Sequence, residues 1–261
     1  MHDLTKIRQF IQTSAKAVGL NFIITGHRKS ITLHQGFPKE MDVEFESLYN
    51  RCRPYTMTSL ERMYSLYQST LYCIKANIPG DFVECGVWRG GSTMLIALIL
   101  NKLNITNRKI YLYDTFTGMT KPTGYDKRIS DGRLATKVWK SKQKETHNEY
   151  AYASLSEVRN NMKKTNFPHD NLVFVEGKVE DTIPTIAPKQ MALLRLDTDW
   201  YESTRHELEH LYPILSDKGV LILDDYGHFT GAKKAVDEYF SAIASPILLH
   251  RIDYTGRTGI K

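Results

Sequence analysis

Two apolar runs of the chain each end in a pair of aspartates: LLRLDTDWYES at residues 193–203 and VLILDDYGH at residues 220–228. Asp197 and Asp199 sit two apart, so at an extended strand end their side chains project to the same side, because strand side chains alternate with period two. Asp224 and Asp225 close the second run. Carboxylates packed together repel, so such a group needs a raised pKa or a cation. Magnesium prefers oxygen ligands, uses few protein carboxylates and keeps positions open for water or substrate. One aspartate there would be explained as well by a helix N-terminus or by loop amides. Four, at the ends of two runs, point to a metal or acid–base site.

A second constellation is VECGVWRGGST, residues 83–93, which reads as a strand, a glycine turn and a helix start. Gly86 and Gly90 allow a sharp turn and close approach to a ligand. The free N–H groups of the following helix, with Ser92, suit a carboxylate or phosphate. The stretch is neither GxGxxG, since Trp88 holds the middle glycine position, nor a P-loop. The next strand, KIYLYD, ends in Asp114, where a carboxylate can hold both hydroxyls of a ribose. Glu84, beneath the turn, suits a ligand carrying an ammonium and a sulfonium better than a pyrophosphate. The pair of features favours S-adenosylmethionine over a dinucleotide.

The elements that must position these groups follow from periodicity. Residues 3–20 and 59–78 read as amphipathic helices, the second closed by Pro79-Gly80. From residue 81 the rhythm changes. Strands are expected at 81–86, 109–114, 171–177, 191–197, 219–225 and 246–253. Helices are expected at 92–103, 152–164, 204–215 and 231–243, with a short helical piece at 181–188. Alternating strands and helices imply βαβ units in an α/β fold, a doubly wound, mostly parallel sheet. Ligands of such sheets bind beyond the C-terminal strand ends, which brings both aspartate pairs to one rim. An N-terminal helical annex spans 1–78, and the core spans 79–261 with a lid insertion at about 115–150.

Composition sets outer bounds. The chain has 261 residues, 41% hydrophobic and 25% charged, enough to bury a core without staples. The net charge of +6 is compatible with nucleic acid, anionic membranes or acidic small molecules. Between Met119 and His147 stand eight Lys/Arg against three Asp/Glu, so most of that excess lies in the insertion. Three cysteines and no CxxC pair argue against a disulfide framework or thiolate zinc site and fit a reducing cytoplasm. The segment MHDLTKIRQF lacks the pattern of a secretory signal, and MLIALIL, the longest apolar run, is too short to span a bilayer.

The stretches FVECGVWRGGST, YLYDTFTGM, LLRLDTDWYEST and VLILDDYGHFTGAKKAVDEYF together resemble the macrocin O-methyltransferase family, bacterial enzymes that methylate sugar hydroxyls on macrolides and aminocoumarins. The similarity runs from about Tyr55 to Phe240, and its aspartate motifs are the specific part. The resemblance implies a Rossmann-like class I methyltransferase using S-adenosylmethionine and Mg²⁺. It places the metal on Asp197, Asp224 and Asp225 and a general base on Asp199. Around the cofactor it places Glu84, Gly86, Val87, Gly90, Ser92, Asp114, Thr115 and Phe116. TMTS (56–59) resembles the segment over the methionine end and adds Met57 and Thr58. EGKVEDT (176–182) resembles the adenine-side loop and adds Val179 and Glu180. Tyr201 and His228 are expected to touch the acceptor.

Catechol methyltransferases share this layout but usually carry Asp-Asn where this chain has Asp224-Asp225, which favours a sugar hydroxyl. The expected partner is a small-molecule sugar or glycoside, with no nucleic acid and no membrane, and the expected assembly is a homodimer or higher homo-oligomer. A bound Mg²⁺ would lower the pKa of the hydroxyl, a vicinal diol would fill two coordination sites, and Asp199 would take the proton. Three rivals stand beside this. A metal-dependent hydrolase or phosphotransferase would also use clustered aspartates, but Glu84 and Asp114 suit a nucleoside cofactor. An RNA methyltransferase lacks support, since no zinc-finger or RNP-type motif occurs. A catalytically dead binding module is disfavoured by the presence of all four aspartates.

Overall fold

The computed structural model describes residues 21–22, 33–34, 37–243 and 245–261. The helix expected at 3–20 lies outside them. The chain divides into two compact units, Met1–Glu46 and Ser47–Lys261. In the first, β1 (Asn21–Phe22) pairs antiparallel with β2 (Leu33–His34). Helix α1 (Val43–Cys52) starts where Asp42 Oδ1 accepts the Phe45 N–H at 2.7 Å.

The second unit begins well before residue 78, the boundary expected for the annex. Helix α2 (Leu60–Lys75) belongs to it. Ser59 caps that helix by accepting the Arg62 N–H, and Met63, Leu66, Tyr67, Thr70 and Cys73 form its buried face. Then come β3 (Asp81–Cys85), α3 (Gly91–Lys102) and β4 (Ile110–Asp114). Residues 91–100 of α3 are all buried, as a helix apolar all round must be.

The segment 115–150 is long for a loop, and the structure gives it α4 (Ala135–Lys142) and bridges at Lys127–Leu134, Arg128–Phe229 and Gln143–Asn148. Its anchor is Asp126, fully buried, which accepts from Thr123 N and Oγ1 and from Tyr201 N. There follow α5 (Leu155–Lys163), β5 (Leu172–Glu176), α6 (Val179–Thr182), β6 (Met191–Leu196), α7 (Tyr201–Leu211), β7 (Leu215–Leu223), α8 (Thr230–Ala242), β8 (His250–Arg251) and β9 (Arg257–Ile260).

Seven of these strands form one sheet in the order β5-β4-β3-β6-β7-β9-β8. The five from β5 to β7 are parallel, and β9 and β8 close the edge antiparallel. This is the doubly wound, mostly parallel sheet expected from the alternation of elements. Two local expectations change. The late strand expected at 246–253 is only His250–Arg251, at the sheet edge, and a further strand, Arg257–Ile260, stands between it and β7. An edge strand needs backbone pairing more than an apolar sequence, while Ile247 and Leu249 reach the core from irregular chain. The helical piece near 181–188 is α6, shifted to Val179–Thr182, with Pro184 just beyond it.

The glycine turn and the first aspartate motif are pressed together. Gly86 has φ +83°, and a Cβ there would meet the Asp197 carbonyl oxygen at 1.9 Å. Only glycine fits, and its absent side chain lets the end of β3 lie against the end of β6.

Candidate active site

The C-terminal ends of β3, β4, β6 and β7 open onto one cavity of about 360 Å³. At one end lies the glycine turn. Asp114 Oδ2 accepts from Val87 N (2.8 Å) and Trp88 N (3.0 Å), and Oδ1 accepts from Phe116 N (2.8 Å). A carboxylate has about four acceptor positions, and three of them hold the turn, with the Thr115 side chain as a further partner. Burial raises the Asp114 pKa, and these N–H bonds oppose the rise. Trp88 (φ 46°) and Phe116 (φ 52°) are left-handed without being glycine, so the carboxylate fastens a strained turn.

At the other end lie the aspartates. Asp197, Asp199 and Asp225 each offer a carboxylate oxygen within 4.8 Å of the others. The period-two argument is not what brings the first two together. Strand β6 ends at Leu196, and Asp199 has φ 66°, so the chain turns back rather than running on extended. Burial and mutual repulsion push Asp197 and Asp225 well above the carboxylate range and Asp199 to about 8. Asp225 Oδ2 is buried and has no hydrogen-bond partner. A group of hard oxygen donors short of positive charge fits a divalent cation.

Asp224 behaves differently. Its carboxylate lies between two guanidinium groups, Arg195 Nη2 at 2.5 Å and Arg62 Nη1. It therefore lies outside the group of three, whereas the expected metal set was Asp197, Asp224 and Asp225. Arg195 is fully buried and also pairs with Glu84 and with Asp197 Oδ2 (2.8 Å). Its Nη2 donates to Thr58 Oγ1 at 3.2 Å. Arg62 is held in turn by Asp253 Oδ2 (3.0 Å), which also accepts from Ser59 Oγ (2.7 Å).

Residues 40–258 match the family described as Macrocin-O-methyltransferase (TylF). The chain belongs to the macrocin O-methyltransferase family. It is 33% identical over 213 residues to the demethyldecarbamoylnovobiocin O-methyltransferase of Streptomyces niveus, covering 82% of this chain and 78% of that one. It is 32% identical over 187 residues to the mycinamicin III 3''-O-methyltransferase of Micromonospora griseorubida, covering 71% and 70%. Among solved structures it resembles the O-methyltransferase NovP, with a TM-score of 0.70 at 32% identity, covering 83% of this chain and 88% of that one. The calicheamicin methyltransferase CalS11 shares the fold, with a TM-score of 0.57 at 17% identity, covering 85% and 94%. As a macrocin O-methyltransferase family member the chain is an O-methyltransferase, on the class I Rossmann-like fold.

Most residues expected around the cofactor line the cavity: Met57, Thr58, Glu84, Gly86, Val87, Ser92, Asp114, Thr115, Val179 and Glu180. Gly90 and Phe116 do not. Gly90 is the left-handed N-cap of α3 (φ 89°), and the Phe116 side chain is buried. Glu84 is already paired with Arg195 and accepts from Thr93 Oγ1, so it is less free for a ligand ammonium than its position suggested. His228 also lines the cavity, where its Nδ1 faces the Tyr254 hydroxyl at 3.2 Å. Burial, with Arg128 and Arg62, lowers its pKa. Tyr201, the other residue expected to touch the acceptor, is not in the cavity wall. Its hydroxyl donates to Glu238 (2.7 Å), and its ring packs on Tyr125 with centroids 4.8 Å apart.

Sequence reading missed Arg62, Arg195, Thr198, Tyr150 and Tyr254. Arg195 carried a signal: a lone cation inside LLRLD must be paired if that strand is buried on both faces. Tyr150, from the insertion, lines the cavity, and burial near Asp199 and Asp225 raises its pKa.

Proposed function

We propose that this enzyme transfers the methyl group of S-adenosylmethionine to a hydroxyl of a sugar or glycosylated small molecule, with Mg²⁺ held at the aspartate group. The observation that carries this is one cavity joining the glycine turn and Asp114 to Asp197, Asp199 and Asp225. The names of the relatives, which methylate natural products, support it.

The cofactor would lie along the glycine turn, with Asp114 toward the ribose hydroxyls, Val179 and Glu180 toward the adenine, and Met57 and Thr58 over the methionine end. When bound, the cation supplies charge compensation and Lewis acidity at the acceptor oxygen. Asp197 and Asp225 would hold it. Asp224 joins them only if Arg62 lets go, and otherwise serves as counter-ion to Arg62 and Arg195. Asp199 is the general base for the acceptor hydroxyl. Tyr150, His228 and Tyr254 orient the acceptor, and holding oxygen and methyl in line supplies much of the rate.

Incubation with methyl-labelled S-adenosylmethionine, Mg²⁺ and parallel panels of glycosides and catechols tests this. The label is expected on sugar hydroxyls. Label on catechols alone would replace the sugar reading with that of a catechol-type enzyme.

A further inference from the structure

A carboxyl group that the proposed chemistry does not use lies behind the aspartate turn. Glu207, on α7, has no exposure to solvent. Its two oxygens stand 3.0 and 3.1 Å from one atom, Thr198 Oγ1. The Cys85 thiol is its other hydrogen-bond partner. The nearby charges are carboxylates, Glu180 and Asp197, and among the described residues no Lys or Arg pairs with it.

A hydroxyl carries one hydrogen and can serve one carboxylate oxygen at a time. An ionised Glu207 would therefore sit buried on one hydroxyl and one weak thiol donor, without a cation, and a carboxyl so placed neutralises instead. A protonated Glu207 resolves both short contacts. The threonine hydroxyl donates to the carbonyl oxygen, and the acid O–H donates back to the threonine oxygen.

The other end of this pair lies in the catalytic turn. Thr198 stands between Asp197 and Asp199 and lines the cavity. Its carbonyl accepts from Trp200 N (2.8 Å) and Ser203 Oγ (3.4 Å). Asp199 is left-handed at φ 66°, a strained conformation for a non-glycine residue that the surroundings must hold in place. We propose that Glu207 is a positioning residue, held as a neutral acid, whose reciprocal hydrogen bonds with Thr198 fix the turn presenting Asp197 and Asp199. This rests on the reading of those aspartates as the cation and base site.

Infrared difference spectra at neutral pH, wild type minus Glu207→Gln, test the neutral acid. One protonated-carboxyl C=O band should vanish in the variant, and its persistence would overturn the proposal. Mn²⁺ affinity by electron paramagnetic resonance tests the positioning. Glutamine keeps one donor and one acceptor, so Glu207→Gln should stay close to wild type. Glu207→Leu and Thr198→Val should weaken Mn²⁺ binding about ten- to a hundredfold. S-adenosylhomocysteine binding, measured alongside, should hold and so report folded protein. Glutamine as damaging as leucine, or Thr198→Val with wild-type affinity, would overturn the proposal. If the wild type binds no Mn²⁺, the cation reading fails, and the carboxyl band alone decides the neutral acid.

Discussion

Glu84 and Arg195 occupy the same register position on the adjacent parallel strands β3 and β6, and their side chains form an ion pair with almost no exposure to solvent. The pair sits just below the strand ends. From there the same guanidinium reaches Asp197 and Asp224, so one buried cation joins the cofactor side of the cavity to the acidic side.

Removing that cation should be costly. Arg195→Met would leave Glu84, Asp197 and Asp224 short of their shared partner, and breaking a buried pair in this way costs about 3–5 kcal/mol. Urea unfolding should show a loss of that order. A loss below about 1 kcal/mol, the range of an exposed pair, would mean that the group is solvated in solution.

Asp199→Asn should abolish the base while leaving the cavity walls in place. Turnover should fall about a hundred- to ten-thousandfold, with S-adenosylhomocysteine affinity close to wild type by calorimetry. Normal turnover would move the base to another residue.

Cation binding should release protons. Without a cation, Asp197 and Asp225 stand well above the carboxylate range and Asp199 beside them at about 8, so at neutral pH a cation must compete with protons on this group. Mn²⁺ affinity should therefore rise with pH from 6 to 9, by about tenfold per unit for each proton displaced. Calorimetry in buffers of different ionisation enthalpy measures the proton directly. An affinity flat from pH 6 to pH 9 would contradict the carboxyl cluster as the binding site.

The three thiols should be inert. Cys52, Cys73 and Cys85 are buried, and burial pushes the first two to about 12 and the third well up. A thiol reagent at pH 8 should titrate none in the native protein and all three in denaturant. Folded pKa values raised above the ordinary 9.0 mean that this contribution to stability is intact below pH 9 and is lost as pH climbs toward 12. Stability should fall there by about 1.4 kcal/mol per pH unit for each thiol. Rapid modification of a native thiol would contradict the burial.

The parts of this protein that follow period rules could be read in the sequence. The parallel strands, the glycine turn and the rim that gathers Asp114, Asp197 and Asp225 all came from apolar runs and what ends them. What could not be read depends on side chains from distant elements. Arg62 meets Asp224 across 162 positions, and Asp253 reaches back to Ser59 across 194. The juxtaposition of Asp197 and Asp199 was expected for the wrong local reason, since it comes from a left-handed residue rather than from strand alternation. Tyr201 stands outside the cavity wall because it opens α7, where its side chain turns toward Tyr125 and Glu238. Strand β9, RTGI, which lies between β7 and the edge strand β8, has too little apolar character to announce itself.

The most direct test is methyl transfer to the best acceptor of the glycoside panel, by wild-type enzyme treated with excess EDTA and then supplied with Mg²⁺. The account predicts that turnover collapses with the chelator and returns with the cation. Full activity in excess EDTA would contradict a cation held by Asp197 and Asp225 beside the base Asp199.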